Sequence, residues 1–185
     1  MDISPLETAI LAKLKSVLDR SVRITTGPFT PPALSGLRTE VYVHAASFID
    51  FDGATLEGDR IARRNVNKPT RVIYVEERPA RITIMVTCIA GSYQALKSCD
   101  GLIAPAVLYA LEPIRSFSLG KLEGGMAEIR FADCIAWLHE SKTEYDHADP
   151  VGYYLGRLVF FLDGFANVQV IRSKDTRKLT AGQPR

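Results

Sequence analysis

The segment from Arg81 to Leu111 constrains the fold most: an alternating stretch, a Gly91-Ser92 break, then an apolar run of helix formers. Polar Arg81, Thr83 and Thr87 alternate with apolar Ile82, Ile84, Val86 and Cys88. A period of two with one apolar parity is the pattern of a half-buried strand. Ser92 stands where a helix N-cap belongs, its hydroxyl able to accept a backbone N–H. The run YQALKSCDGLIAPAVLYAL that follows is apolar almost all round, which predicts a helix buried on more than one side. Pro105 should kink it, because an interior proline deletes a backbone hydrogen bond and crowds the preceding turn. Asp100-Gly101 offers a restart with Asp100 as a second N-cap, and Pro113 ends the helix.

The chain opens with another helix. Ser4, Pro5 and Glu7 read as a capping box with proline at the first helical position. Leu6, Ile10, Leu14 and Leu18 then form one apolar stripe, and the helix should end near Arg20. Val22–Thr25 is a short strand, and the prolines at 28, 31 and 32 force a loop. From Glu40 to Phe51 the chain is extended, with Val41, Val43 and Ala45 on one face, before an Asp52-Gly53 turn. Val72–Val75 reads as a strand that Glu76–Pro79 turns back into the alternating segment as a hairpin.

Beyond the central helix, Gly120, Gly124 and Gly125 mark a turn. Ala127–Leu138 alternates as a strand, broken or bulged at Asp133, and His139–Pro150 reads as an acidic loop. Arg157–Asp163 is apolar on both parities, the mark of a central strand. Gly164 should turn it, Val168–Val170 should form a last edge strand, and the polar tail begins at Arg172. The expected fold is therefore α+β: a mixed or antiparallel sheet flanked by the N-terminal helix and a kinked central one. One domain is expected over residues 1–171, with long loops at 27–38 and 52–70 and a tail at 172–185.

At 185 residues the chain is long enough to bury a core without disulfides or metals. A net charge of +2 is too small for global affinity to nucleic acid or acidic membranes, so any electrostatic role depends on where charges cluster. The strongest positive cluster is Arg60, Arg63, Arg64 and Lys68, continued by Arg71. It suits DNA phosphates or an acidic partner, or it is a solvated loop paired to Glu57, Asp59, Glu76 and Glu77. Cys88, Cys99 and Cys134 are widely spaced within apolar stretches and read as buried free thiols, with a disulfide between chains as the minority reading. The start carries no secretory pattern and no run is long and apolar enough to span a bilayer, which places the protein in a reducing cytoplasm.

Chemistry is hard to locate. His139, Glu140, Glu144, Asp146 and His147 include metal-ligand types, but their spacing does not share one helix face and one polar loop would have to supply them all. Gly120-Lys121 with Gly124-Gly125 lacks the spacing of a phosphate loop. There is no nucleophile elbow, and His44 alternates with Val43 on a strand as a surface or satisfied core histidine does. No catalytic, cofactor or metal residue is assigned, and an enzyme is not expected.

The order of elements resembles that of tail-terminator and neck proteins of long-tailed bacteriophages and related contractile particles. The likeness runs over residues 5–164, through PLETAILAKLKSVL, RPARITIMVTCIAGS, YQALKSCDGLIAPAVLYAL and GYYLGRLVFFLDG. It implies a structural virion component, a homohexameric ring capping the tail tube, made in the bacterial host cytoplasm and assembled into the virion tail. It implies further copies, tail tube, sheath or connector proteins as partners, with DNA passing through a lumen. Under it, the central helix with Leu96, Leu102 and Val107 becomes an interface. Arg60, Arg63, Arg64, Lys68 and Arg71 face the lumen or the next ring. The long loops also fit a collar or baseplate subunit, and the basic segment a nucleic-acid-binding module.

Overall fold

In the computed structural model the described residues are 3–29, 38–46, 50, 71–121, 127–146 and 152–173. They form α1 (Ser4–Val17), β1 (Arg23–Thr26), β2 (Glu40–Ala45), β3 (Arg71–Ala90), α2 (Tyr93–Leu111), β4 (Ser116–Lys121), β5 (Ala127–Asp146) and β6 (Tyr153–Ser173). The six strands make one sheet in the order β1-β2-β3-β6-β5-β4, parallel between β1 and β2 and antiparallel elsewhere. The α+β class and the mixed sheet are as the sequence predicts.

The two parities of the central strands divide the molecule. Ile82, Ile84, Val86 and Cys88 of β3, with Leu158, Phe160 and Leu162 of β6, lie in the main core with Leu6, Ile10 and Leu14 of α1 and Leu96, Ile103 and Val107 of α2. Both helices therefore cover one face of the sheet. Each wholly buried Leu, Ile or Phe there contributes roughly 1.5–3 kcal/mol relative to an exposed one. A smaller cluster of Ile89, Tyr153 and Leu155, with Phe29 and Tyr42 packed on it, occupies the opposite parity.

Several local expectations change. The Ser4 capping box does not form: Ile3 is the N-cap, no side chain caps the helix, and it ends at Val17, short of Arg20. Glu7 instead reaches the sheet, its Oε1 accepting the Ala45 N–H at 2.9 Å. The anticipated stripe is intact, with Leu6, Ile10 and Leu14 wholly buried and Leu18 nearly so.

Glu76–Pro79 makes no turn. β3 runs unbroken from Arg71 to Ala90 and pairs along its length with β6. Pro79 fits because of where its missing donor points. The Arg81 N–H donates to Asp50 O and Thr83 O accepts from Ala46, so odd-numbered residues of β3 address the β2 side. The β2 register spans only Ile84 to Ile89, so Pro79 lies past its end.

Helix α2 does not restart at Asp100, and Tyr93–Leu111 is continuous through Pro105. Pro105 and Gly101, whose carbonyl loses its partner, are both exposed, on the side of the helix open to solvent. Ser92 caps as predicted, its hydroxyl accepting the Ala95 N–H at 3.2 Å. Ser92→Ala should therefore cost about 1 kcal/mol in urea unfolding, while Ser92→Gly should cost only a few tenths.

The C-terminal half is more extended than its composition suggests. Gly120 lies inside β4 at a bulge with φ +117°, and the segment read as an acidic loop continues β5 to Asp146. The bulge at Asp133 is present: φ is +53°, a left-handed value aspartate tolerates, and the register shifts between Ala132 and Ile135. A second shift falls between Leu138 and Glu140. Gly164 is not a turn. A Cβ there would lie 2.7 Å from both Ala132 O and the Phe131 ring, so glycine answers a close approach within β6. Val168–Val170 belongs to this same central strand, which continues through Ser173 into the stretch read as tail.

Candidate functional site

The residues singled out from sequence separate in space. Leu96 and Val107 are wholly buried within the chain, because the face of α2 that carries them packs on the sheet; they are core residues. Leu102 is 47% exposed, so of the three it alone is presented at the surface. Arg71 opens β3 opposite Ser173. Arg60, Arg63, Arg64 and Lys68 lie outside the described residues, as does His147.

His139, Glu140, Glu144 and Asp146 stand on β5 and do not converge. His139 stacks on Phe161 at 4.2 Å, Glu144 pairs with Lys142, and Asp146 accepts the Tyr153 hydroxyl proton at 2.9 Å. Among the described residues there is no group of three His, Cys, Asp or Glu side chains able to hold a metal ion. His44 is half-exposed, with Nδ1 3.9 Å from Glu7 Oε1.

The best-formed polar site was not visible in the sequence. On the helix-free parity of the sheet, Asp163 Oδ1 accepts from Arg81 Nε at 2.7 Å and Oδ2 from Arg81 Nη2 at 3.0 Å. Trp137 Nε1 donates to Oδ2 at 3.0 Å. The guanidinium lies 3.9 Å from the centroid of Phe161, whose other neighbours are Trp137 and His139. Side-chain exposure is 11% for Arg81 and 3% for Asp163. Arg81 Nε and Nη2, Trp137 Nε1 and both Asp163 oxygens are engaged with one another, which makes the cluster a fastening between β3, β5 and β6. The available signal was an aspartate inside an apolar strand, which needs a partner when buried.

All three cysteines are buried and free. Its hydrogen bond to Cys99, and then burial, push the Cys88 thiol up, so it stays protonated. Next to this pair, burial holds the Asp100 carboxyl above the usual range, while Lys97 at 3.9 Å opposes the shift. Gly156 makes room for that carboxylate: a Cβ would stand 2.7 Å from Asp100 Oδ1. A shallow groove lies where α2 meets β5, lined by Pro105, Leu108, Tyr109, Arg115, Ile135 and Ala136. Its walls are mostly apolar, with Arg115 and Glu112 at the side. Cys134 lines it too, but its thiol is buried, and burial above all pushes it up to about 12, so it stays protonated.

The sheet edges complete the geometry. Among the described residues, β1 has no strand on its outer side, and β4 pairs with β5 only up to Ala132. Among those residues, no strand pairs with the outer edge of β5 from Ile135 to Glu144. Helix α2 follows this edge: Lys97 Nζ donates to Thr143 Oγ1, and the far end of the helix meets Ile135 at the groove.

No family model matches the chain, and no curated protein matches it. Among solved structures it is similar to the sheath/tube terminator, in the extended state, of PVC, an extracellular contractile injection system. Identity is 16% and the TM-score 0.45, over 100% of this chain and 63% of that one. None of the helices among the described residues is long and apolar enough to cross a membrane.

Proposed function

We propose that this chain is a structural component of a phage tail or contractile injection particle, a tail terminator or neck protein that works by assembling and not by catalysis. One observation carries the reading: the sheet ends in two unlike edges, β1 on one side and the outer run of β5 with β4 on the other. Unlike edges suit head-to-tail contact between copies, and such a contact makes a ring when its rotation closes. In this reading six copies cap the tail tube, with tube, sheath or connector proteins as neighbours. Leu102 of α2 lies at a subunit boundary, and Arg60, Arg63, Arg64, Lys68 and Arg71 face the DNA channel or the next ring. The protein is made in the host cytoplasm and carried in the particle.

Native mass spectrometry with negative-stain imaging across a concentration series tests this. Closed rings, hexamers above all, are the expected result. A strict monomer at every concentration overturns self-assembly. If that monomer also binds DNA with a steep salt dependence, the basic segment belongs to a nucleic-acid-binding module instead.

A further inference from the structure

We propose that the outer edge of β5 pairs with the same edge of a second copy, antiparallel about a two-fold axis at Ser141, through reciprocal Glu140–Lys142 contacts. Unpaired strand edges carry a row of backbone donors and acceptors and join other strands unless something blocks them. Here Glu140, Ser141 and Lys142 are all exposed; Lys142, its side chain 56% accessible, pairs with Glu144 of its own strand and would exchange that contact for Glu140 of the second copy. Glu140 and Lys142 share the helix-free parity, and Ser141 lies on the other.

The charge order selects the occupant. In an antiparallel pair with two-fold symmetry, residues equally distant from the axis face each other. An axis at Ser141 sets Glu140 opposite Lys142 of the second copy, and Lys142 opposite its Glu140. An axis at Glu140 or at Lys142 sets that residue against its own copy. An axis at Thr143 brings Glu140 against Asp146. Of these four neighbouring registers, the Ser141 one alone joins opposite charges with no like pair, and like charges directly opposite destabilise a strand pair. Backbone pairing is open to any strand, but the Glu140-x-Lys142 order is complementary to itself in this register, so the charges favour a second copy. The register shift between Leu138 and Glu140 disrupts regular pairing there, which keeps the seam short and separable.

Such a pair occupies the edge that a head-to-tail ring contact would need. The pair and the ring contact would therefore compete for free subunits. That consequence rests on the ring reading; the pair itself does not.

The Ser141→Cys chain, treated with a short bismaleimide, tests the axis directly, since the residue on the axis faces itself. A covalent dimer is expected, well above the yield from the unsubstituted chain and from a Thr8→Cys control on α1. Sedimentation equilibrium tests the charges. Glu140→Lys should raise the dimer dissociation constant about tenfold or more, and adding Lys142→Glu in the same chain should restore it. Cross-linking no greater than the control, or a double variant as weak as the single one, overturns the pair. Rings on the grid without a Ser141 cross-link also overturn it while leaving the terminator reading standing. Cross-linked pairs without rings support the pair; rings from the Glu140→Lys chain, whose pair is broken, then keep the terminator reading, and their absence removes it.

Discussion

Asp163→Ala is expected to lower the unfolding free energy by about 3–5 kcal/mol, among the largest losses from any single polar substitution in this chain. The reason is what remains behind. The Asp163 carboxylate takes two hydrogen bonds from Arg81 and one from Trp137 while 3% of its side chain reaches solvent. Without it, the Arg81 guanidinium keeps its charge in a largely enclosed site over Phe161, with neither its partner nor full hydration. Losing one member of a buried pair therefore costs far more than the pair contributes. The same logic predicts that Arg81→Met combined with Asp163→Leu loses much less than Asp163→Ala alone, because no charge is stranded. Urea titrations followed by fluorescence report on the site directly, since Trp137 is the chain's one tryptophan. An Asp163→Ala midpoint equal to that of the unsubstituted protein would rule out the fastening role.

Phe160→Ala is expected to cost a similar amount, about 3–5 kcal/mol, by a different route. Phe160 is wholly buried at the middle of β6, opposite Ile84 on one side and Leu138 on the other. Truncation removes the ring's transfer free energy and leaves a cavity between the sheet and the helices. Two long neighbouring strands hold that space open, which limits its collapse. Ile135→Ala, on the same sheet but 55% exposed, should change stability by no more than about 0.5 kcal/mol. Comparable losses at both positions would mean that the core does not sit between the helices and the sheet.

Local pattern identified most elements and missed their lengths. The α1 stripe, the Ser92 cap, the buried face of β2, the Asp133 bulge and the central place of β6 all follow from periodicity or side-chain chemistry within a few residues. Three punctuation marks misled. Pro79 and Gly164 read as turns, yet one lies where no ladder bond is needed and the other where a neighbouring strand leaves no room for Cβ. Pro105 with Asp100-Gly101 read as an interruption and restart, yet the helix is continuous through the proline, which sits on its exposed side. In each case the deciding fact is what lies alongside in space. The acidic segment 139–146 misled for a related reason: an edge strand with exposed parities has the composition of a loop. The Arg81–Asp163–Trp137 fastening joins three strands, so no window of sequence contains it. The apolar helix offered Leu96, Leu102 and Val107 alike as surface, and only packing separates the first and third from the second.

The pairing of β3 with β6 also sets an order of events during synthesis. Partners along this ladder lie roughly 60 to 100 residues apart in the chain, so the central contact of the sheet is among its most non-local. At a translation rate of about 5–20 residues per second, the apolar β3 leaves the ribosome several seconds before its main partner exists. Only β2, and the face of α1 and α2, can shelter it in the interval. The sheet's longest ladder is thus among the last to close, and the nascent chain is most exposed to wrong partners just before it does.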